Sequence, residues 1–404
     1  MKVLMLGWEL PPNNSGGLGV ASYQLCKALN ASGADIEFIL PVEPAQAVSF
    51  MKVTPAYTDE TAKLFIPGLA YQSAEYYYKH SKHPINWTDL FTQEQLYSHA
   101  VESMVQGRSF DVIHAHDWLT FRAGLKAKQR TGWPLIVHVH SVEADRAGHR
   151  GGGNPLVREI EALGLMMADR VIAVSRHTRQ SIIEEYGIPD AKIEVVHNSL
   201  DRQELEALDA DNAYRFLAAM RSQGYKVVVN VGRLTIQKGL PSLLRAARAV
   251  LDKLPKTFFL IVGSGEQYDE LIGLAGELGI LNRVLFTGFQ RGKNWRDAYA
   301  ISDLFVMPSI SEPFGLTPLE ALHYGTPSLI SYQSGVSEVL LNCLKADFWD
   351  VREMANQIVG VLSNQPLHDM LRNNGMQELE HLTWDEPARK LLKVYESHVL
   401  GGAI

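Results

Sequence analysis

Two stretches of the sequence combine glycine with groups that could hold an anion. Residues 14–20 read Asn-Ser-Gly-Gly-Leu-Gly-Val and lie between an apolar run and a helical pattern. Glycines let the backbone approach a ligand, and the open amides at a helix start favour negative charge. Because G-x-G-x-x-G spacing is lacking, the stretch predicts a phosphate site or a plain turn, and no nicotinamide cofactor. Arg233 and Lys238 stand in the second stretch, residues 232–239, where two cations could converge on one diphosphate or lie solvated at the surface.

Two glutamates, Glu312 and Glu320, flank the sequence Pro-Phe-Gly-Leu-Thr-Pro-Leu. A phosphate would repel a carboxylate, so either glutamate is better suited to the neutral hydroxyls of a sugar or a ribose. Glu320 has a structural alternative, which is a capping box with Thr317 as N-cap and Pro318 at the first helical position. A glycosidase pair needs carboxyl groups about 5–9.5 Å apart. The eight residues from Glu312 to Glu320 would span about 12 Å if they were helical, so the spacing gives a glycosidase little support.

Four histidines form two H-x-H patterns, His114-Ala-His116 and His138-Val-His140. Residues two apart in a strand share a face, so the patterns could bind a divalent metal and serve a metal-dependent hydrolase. The alternative is that they are buried histidines with hydrogen-bond partners, and no carboxylate or cysteine stands at ligand spacing. The glycine-rich residues 143–154 follow closely and predict either a mobile loop over a ligand or an exposed connector.

These residues lie beside short apolar runs that alternate with helical patterns, which predicts βαβ units and parallel sheets. Strands are predicted at residues 3–6, 36–40, 112–114, 135–139, 171–174, 194–196, 226–231, 257–262, 284–287, 304–307 and 328–331. Helices are predicted at residues 20–29, 175–186, 240–254, 267–278 and 351–362.

Each half of the chain opens with a strand that runs into a glycine-bearing loop. We place the boundary in the polar residues 201–223, giving a domain at 1–205 and a second at 206–384. Two doubly wound domains would bind ligands in a cleft between the carboxyl ends of their strands. Eleven strands are too many for one eight-stranded (β/α)₈ barrel. Residues 48–95 are rich in aromatics, and we interpret them as an insertion near the mouth of that cleft.

Composition excludes several classes of protein. The chain has 404 residues, of which 46% are hydrophobic and 21% charged, as in a globular protein with a real core. The net charge of −7 disfavours nucleic acid as a partner and also disfavours peripheral contact with an anionic membrane. Two cysteines, the lack of a secretion signal and the lack of an apolar run of about 18 residues predict a cytoplasmic location.

Taken in order, the motifs resemble the retaining glycosyltransferases of the GT-B fold, in the family-4 and glycogen synthase-like group. The resemblance covers nearly the whole chain and rests on joint order and spacing. Its motifs are residues 16–19, His116-Asp117-Trp118, His140-Ser141 with Glu143 and Arg146, residues 168–175, Val196-His197-Asn198, Gly232-Arg233 with Gln237-Lys238-Gly239, and residues 312–316 with Glu320-Ala321. It implies two Rossmann-like domains, the first on the acceptor side and the second on the donor side, with a final helix at about residues 385–404 packing back on the first.

The resemblance also implies roles for particular residues. His140 and Glu312 are the catalytic candidates, with His140 beside the reacting sugar and Glu312 facing the transferred unit. The nucleotide-sugar donor would be bound by the two cations, by backbone amides and by Glu320, which contacts the ribose. The donor-binding residues are Gly16, Gly17, Gly19, Arg233, Lys238, Phe314, Gly315, Leu316, Thr317 and Glu320. Residues on the acceptor side or in supporting positions are Glu9, His116, Asp117 and Arg146.

The implied activity is retaining transfer of a hexosyl unit, with glucosyl favoured, from a nucleoside diphosphate sugar to a sugar or glucan-like hydroxyl. No cofactor and no metal is expected. UDP-glucose and ADP-glucose are the candidate donors, although bacterial glycogen synthases carry a lysine where this chain has Asn14, which weighs against ADP-glucose and glucan elongation. A sugar phosphorylase of the same fold, the metal-dependent hydrolase and a non-catalytic nucleotide-sugar-binding module are the alternatives.

Overall fold

The computed structural model describes residues 1–12, 14, 16–57 and 87–399, with only the backbone of residues 87–89. The chain divides into two units. Unit 1 comprises the described residues of Met1–Ser199 and of Trp384–Ile404, and unit 2 comprises Leu200–Thr383. The division falls after Ser199, a few residues before the predicted boundary at 205.

Unit 1 is built on a sheet of seven parallel strands in its described part, in the order β3-β2-β1-β4-β5-β6-β7. The five inner strands are almost wholly buried, which explains why their sequences are almost continuously apolar, while the two edge strands are only partly buried. They are β1 (Lys2–Leu6), β2 (Asp35–Leu40), β3 (Lys52–Pro55), β4 (Val112–His116), β5 (Leu135–Val139), β6 (Arg170–Ala173) and β7 (Ile193–Val195).

Helices cover both faces of this sheet. The helices before the unit boundary are α1 (Gly17–Ala31), α2 (Trp87–Met104), α3 (Trp118–Thr131), α4 (Glu143–Ala147), α5 (Pro155–Met167) and α6 (Arg176–Tyr186). The last helix among the described residues also belongs to unit 1 and runs over Asp385–Val399. It packs against α1, and its Leu391 and Tyr395 share one core cluster with Leu25 and Cys26.

Unit 2 repeats the design with six parallel strands in the order β10-β9-β8-β11-β12-β13. The strands are β8 (Lys226–Val231), β9 (Thr257–Val262), β10 (Val284–Phe286), β11 (Leu304–Met307), β12 (Ser328–Ser331) and β13 (Leu344–Ala346). The helices are α7 (Arg215–Ser222), α8 (Leu240–Lys253), α9 (Tyr268–Glu277), α10 (Gly292–Ala300), α11 (Thr317–His323), α12 (Val351–Ser363) and α13 (Gln365–Leu379), and the last helix of unit 1 is therefore α14.

The predicted fold class, two doubly wound parallel sheets with helices, is confirmed. All eleven predicted strands are present, and the described residues add β3 and β13, each at the edge of its sheet. The interpretation of residues 48–95 as an insertion is therefore wrong at both ends, because β3 extends the sheet and α2 covers it. The aromatic residues 76–78 lie outside the described residues.

In each sheet the strand order reverses at one point, between β1 and β4 in unit 1 and between β8 and β11 in unit 2. Sheets of this kind bind ligands beside the carboxyl ends of the strands at such a point. Candidate residues follow β1, β8 and β11, and His116 ends β4, so each unit brings its own chemistry to the point where its strand order reverses. His140 follows the neighbouring strand β5. No helix in the described part of the chain combines the length and apolarity needed to cross a bilayer.

Candidate active site

Lys238 and Glu312 form an ion pair at the switch point of unit 2. Lys238 ends the loop that follows β8, Glu312 lies in the loop that follows β11, and Lys238 Nζ is 2.5 Å from Glu312 Oε2. The lysine side chain is 20% exposed and the glutamate side chain 10%, so the pair is mostly shielded from water. Arg233 lies two residues after the end of β8 and is partly buried in the same loop. The two predicted donor cations thus lie at the predicted edge of the sheet, and one of them already holds a carboxylate.

Gly239 allows these two loops to approach each other. Its φ is +64°, and a Cβ there would stand 2.1 Å from the carbonyl oxygen of Pro308. The loops are joined by the amide of Ile310, which donates to the carbonyl of Gln237 at 2.8 Å. A larger residue at position 239 would push the β11 loop away and separate Lys238 from Glu312.

The Glu312 side chain is fixed from several directions. Ser309 Oγ donates to Oε2 at 3.1 Å, which is the same oxygen that binds Lys238. The Glu312 amide donates to the carbonyl of Gln333, and the amide of Gly335 donates to the Glu312 carbonyl. Its other carboxylate oxygen, Oε1, has no hydrogen-bond partner in the part of the chain that the structure describes. That oxygen can accept a hydrogen bond from a ligand.

Glu320 does not cap its helix, so the predicted capping box is wrong. The N-cap of α11 is Leu316 with helical backbone angles, and Thr317 is the first residue of the helix. Glu320 therefore lies one position too far along to return to the N-cap amide. Its Oε2 instead accepts a 2.8 Å hydrogen bond from the hydroxyl of Tyr299, which is fully buried. Burial raises the pKa of Glu320 to about 7, while the Tyr299 hydrogen bond lowers it.

The segment that joins the two glutamates turns through Gly315, whose φ is +98°. Phe314 is buried, and its carbonyl accepts from the amide of Val336 at 2.7 Å. Leu316 and Thr317 are partly buried at the start of α11. All four of the predicted amide donors therefore lie between Glu312 and Glu320, at the carboxyl end of β11.

The glycine stretch of unit 1 leads from β1 into α1. Gly16 is the N-cap of α1, and it provides no side-chain hydrogen bond to the first-turn amides, which begin with Gly17. A Cβ on Gly19 would stand 2.7 Å from Cβ of Asn14 and 3.3 Å from Cγ of Glu9. Glycine is therefore required at position 19 because the preceding loop, including buried Glu9, packs against the first turn of the helix.

The four histidines lie together on one face of β4 and β5. The alternation predicts that each H-x-H pair shares a face, and the register of the two strands brings the pairs together. His116 Nδ1 is 2.9 Å from His140 Nε2, and His114 Nε2 is 3.2 Å from His138 Nδ1. Burial lowers the pKa of all four rings, to about 3 for His116, so they are neutral. Two partners come from elsewhere, since Met5 Sδ lies 3.1 Å from His116 Nε2 and the Tyr395 hydroxyl 2.6 Å from His114 Nδ1.

The metal alternative meets one geometric requirement. Ligand nitrogens of His114, His116 and His138 lie within 4.8 Å of one another. The ring nitrogens of His114 and His116 are all engaged with another ring, a sulfur or a hydroxyl, whereas His138 Nε2 is buried without a partner among the described residues. The cluster therefore resembles a set of buried, mutually bonded histidines more than a prepared ligand set.

Asp117 anchors the backbone at the end of the cluster. It is buried and has a φ of 56°, the left-handed region, although it is not a glycine. Its Oδ1 accepts from the amide of His140 at 2.6 Å and from that of Ser141 at 3.4 Å. Burial raises the pKa of Asp117 to about 7, and the Arg146 charge opposes this shift. Asp117 thereby fixes the turn that presents His140.

Arg146 belongs to a buried ionic network that the sequence did not reveal. It bonds Glu143 at 2.7 Å, Glu161 at 2.5 Å and the hydroxyl of Ser141 at 2.6 Å. Burial lowers the pKa of Arg146, but the charges of Glu161 and Glu143 outweigh that effect and raise it. Residues 143–154 are thus neither a free loop nor a plain connector, because they begin with α4 and are tied back by the amide of Asn154 on Glu143.

Comparisons with known proteins fit both units. Residues 16–199 match the family described as "Glycosyl transferase 4-like domain", and residues 218–378 match "Glycosyl transferases group 1". An uncharacterized glycosyltransferase of Methanocaldococcus jannaschii is 27% identical over 412 residues, with 98% of each chain covered. A D-inositol 3-phosphate glycosyltransferase of Mycolicibacterium smegmatis is 30% identical over 298 residues, 71% of this chain and 67% of that one.

Among solved structures, the catalytic domain of starch synthase IV from Arabidopsis thaliana, bound to ADP and acarbose, has a TM-score of 0.74. The match covers 98% of both chains at 17% sequence identity. At that identity the likeness shows the fold, and it agrees with the two Rossmann-like sheets described above.

Proposed function

The chain belongs to the group 1 glycosyltransferases with a family-4-like amino-terminal domain and the GT-B fold, and on this premise we propose that it transfers a hexosyl unit from a nucleoside diphosphate sugar to a carbohydrate hydroxyl. The proposal rests most on Lys238 beside Glu312 at the switch point of unit 2. We propose further that the transfer is retaining, needs no metal and moves a glucosyl unit, with UDP-glucose and ADP-glucose as the donors to test first.

The diphosphate is the group that leaves, so its developing charge is what the enzyme must stabilise. Arg233 and Lys238 would bind it from the loop after β8. Charged groups already fixed in a shielded site stabilise such charge without reorganising, and this supports a metal-independent reaction. Glu320, held by Tyr299, would accept hydrogen bonds from the ribose hydroxyls.

The ion pair resolves an apparent conflict between a carboxylate and a phosphate in one site. Lys238 and Ser309 both bind Oε2 of Glu312, so Oε1 stays available for a hydroxyl of the sugar. The lysine charge meanwhile offsets the repulsion between carboxylate and phosphate. An ion-paired carboxylate is a weak nucleophile, which favours direct attack by the acceptor from the side of the leaving group over a covalent intermediate.

The first experiment measures binding of UDP and ADP to the full chain by isothermal titration. Arg233→Ala and Lys238→Ala each remove one charged hydrogen-bond donor, and we expect affinity to fall by about 10- to 100-fold. Lys226→Ala is the matched control, because Lys226 begins β8 at the opposite end and pairs with Asp303. Wild-type affinity in both site variants would remove the diphosphate assignment.

A second experiment separates phosphate binding from sugar binding. Glu312→Gln keeps the volume of the side chain and removes its charge. We expect it to bind UDP at least as tightly as the wild type, while sugar transfer from UDP-glucose falls by at least about tenfold, the value of one charged hydrogen bond. Transfer at the wild-type rate in Glu312→Gln would contradict the assignment of Glu312 to the sugar.

The remaining alternatives are tested with the same preparation. A thermal-shift panel of nucleotide sugars would name the donor, because a ligand at 100 times its dissociation constant stabilises the fold by about 2.7 kcal/mol. Release of sugar phosphate that depends on orthophosphate would instead indicate a phosphorylase. Transfer that is lost in a chelator and restored by zinc would contradict metal independence and return attention to the histidine cluster.

A further inference from the structure

Met5, His116 and His140 form a hydrogen-bonded chain from β1 through β4 to the end of β5. Met5 Sδ lies 3.1 Å from His116 Nε2, and His116 Nδ1 lies 2.9 Å from His140 Nε2. Met5 and His116 are 0% and 1% exposed, so no water competes for these contacts. His140 is only partly buried, and its Nδ1 has no hydrogen-bond partner among the described residues.

The sulfur of Met5 decides the direction in which the hydrogen bonds of this series donate. A thioether can accept a hydrogen bond but has no hydrogen to donate, so His116 must carry its proton on Nε2. A neutral imidazole has one N–H, and burial keeps His116 neutral, so His116 Nδ1 is an acceptor. His140 must then donate from Nε2, which leaves the lone pair of His140 on Nδ1.

We propose that Met5 and His116 are positioning residues that fix His140 in the tautomer with its proton on Nε2 and an acceptor lone pair on Nδ1. The inference deepens the proposed function, on which it rests for its consequence: His140 would accept a hydrogen bond from a hydroxyl of the bound sugar. Asp117 holds the backbone of the same residue, so the peptide and the ring of His140 are oriented independently.

Replacing the sulfur of Met5 should reverse the direction of the hydrogen bond between His116 and His140. Met5→Leu keeps an apolar side chain of similar volume, a swap that cores usually tolerate. A proton left on His116 Nε2 would then be a buried donor without a partner, which is costly. His116 should move its proton to Nδ1 and donate to His140 Nε2, and His140 should carry its own proton on Nδ1.

The experiment reads ring protonation by ¹⁵N NMR on the full chain with labelled histidine, without substrate. The expected result is protonated Nε2 and unprotonated Nδ1 for His140 in the wild type, and the reverse in Met5→Leu. Met51→Leu, which changes another buried methionine of the same core cluster, should match the wild type. Protonated Nδ1 in the wild-type His140, or an unchanged tautomer in Met5→Leu, would overturn the proposal.

Two further measurements complete the test. Met5→Leu should slow sugar transfer by about fivefold, the value of one neutral hydrogen bond, while Met51→Leu transfers at the wild-type rate. If Zn²⁺ alone shifts the ring signals of His114, His116 and His138, their lone pairs serve a metal and the proposal is overturned. If no nucleotide sugar supports transfer, the proposed function fails, while the tautomers still decide this inference because they are read without substrate.

Discussion

Tyr299→Phe removes a single hydroxyl from beneath the proposed ribose site. That hydroxyl donates to Glu320 Oε2 at 2.8 Å, and Tyr299 is completely buried. The aromatic ring also packs edge-on against Trp295 and stacks with Tyr324, with centroids 5.4 and 6.0 Å away. Phenylalanine keeps those ring contacts and leaves the core filled, so the change acts through the lost hydroxyl.

The expected shift follows from the hydrogen bond. Burial raises the pKa of Glu320 to about 7, and the Tyr299 hydroxyl is the group that opposes this shift. A hydrogen bond to a charged group contributes about 1.5–3 kcal/mol, and one pKa unit corresponds to about 1.4 kcal/mol. Losing the hydroxyl should therefore raise the Glu320 pKa by about one to two units. At pH 7.5 the ionised fraction would fall about eightfold for a shift of about 1.5 units.

The assay is calorimetric titration with UDP between pH 6 and 9.5. An ionised Glu320 accepts ribose hydroxyls, so wild-type affinity should rise as the pH rises through about 7. Tyr299→Phe should bind about eightfold more weakly at pH 7.5 and approach the wild type near pH 9.5. Tyr324→Phe, which loses a hydroxyl bonded to the Glu206 carbonyl, is the control. An affinity loss equal at every pH, or none at pH 7.5, would refute the reasoning.

Three further predictions concern stability. Glu320→Gln should raise the free energy of unfolding by up to about 3 kcal/mol at pH 8 and leave it unchanged near pH 4.5. The carboxyl group has a pKa of about 7 in the folded protein and 4.5 in the unfolded chain, so its ionised form destabilises the fold only at higher pH. Thermal melts at both pH values test this. Gly239→Ala should cost about 3 kcal/mol or more in urea unfolding, since its Cβ would clash with the Pro308 carbonyl, whereas Gly33→Ala, with φ +94° and open space around it, should cost about 1–2 kcal/mol. Asp117→Asn should keep the free energy of unfolding within about 1 kcal/mol of the wild type, because Asn tolerates a φ of 56° and keeps an acceptor oxygen. Asp117→Ala should lower that free energy by about 2–4 kcal/mol in the same urea assay.

The sheets could be predicted because parallel strands buried on both faces must be almost wholly apolar. Lys226–Val231 and Thr257–Val262 are such runs, and the structure places them side by side. β3 and β13 escaped prediction because edge strands are less buried and their sequences are mixed, as in Lys-Val-Thr-Pro at Lys52–Pro55. Local patterns therefore identify the centre of each sheet better than its edges.

The types and rough positions of the site residues could also be predicted, but their partners could not. The residues before Glu320 match the sequence of a capping box, yet the helix begins at Thr317, one residue earlier than that box requires. Tyr299, its actual partner, comes from the preceding helix α10 and has no sequence signature. Glu161 and Arg146 likewise meet only because α4 and α5 pack together. Which side chain finds which is decided by tertiary packing, and local spacing does not encode it.

The histidines show how far this limit reaches into chemistry. Alternation along each strand correctly puts His114 with His116 and His138 with His140, and that result suits a metal site and a buried hydrogen-bonded cluster equally well. The choice depends on atoms outside the motif, above all the sulfur of Met5, which is more than 100 residues away in sequence. A hydroxyl there could either donate or accept, and the ring protons would be free to move. A thioether cannot donate, so one apolar residue of β1 sets the polarity of a chain that ends at His140.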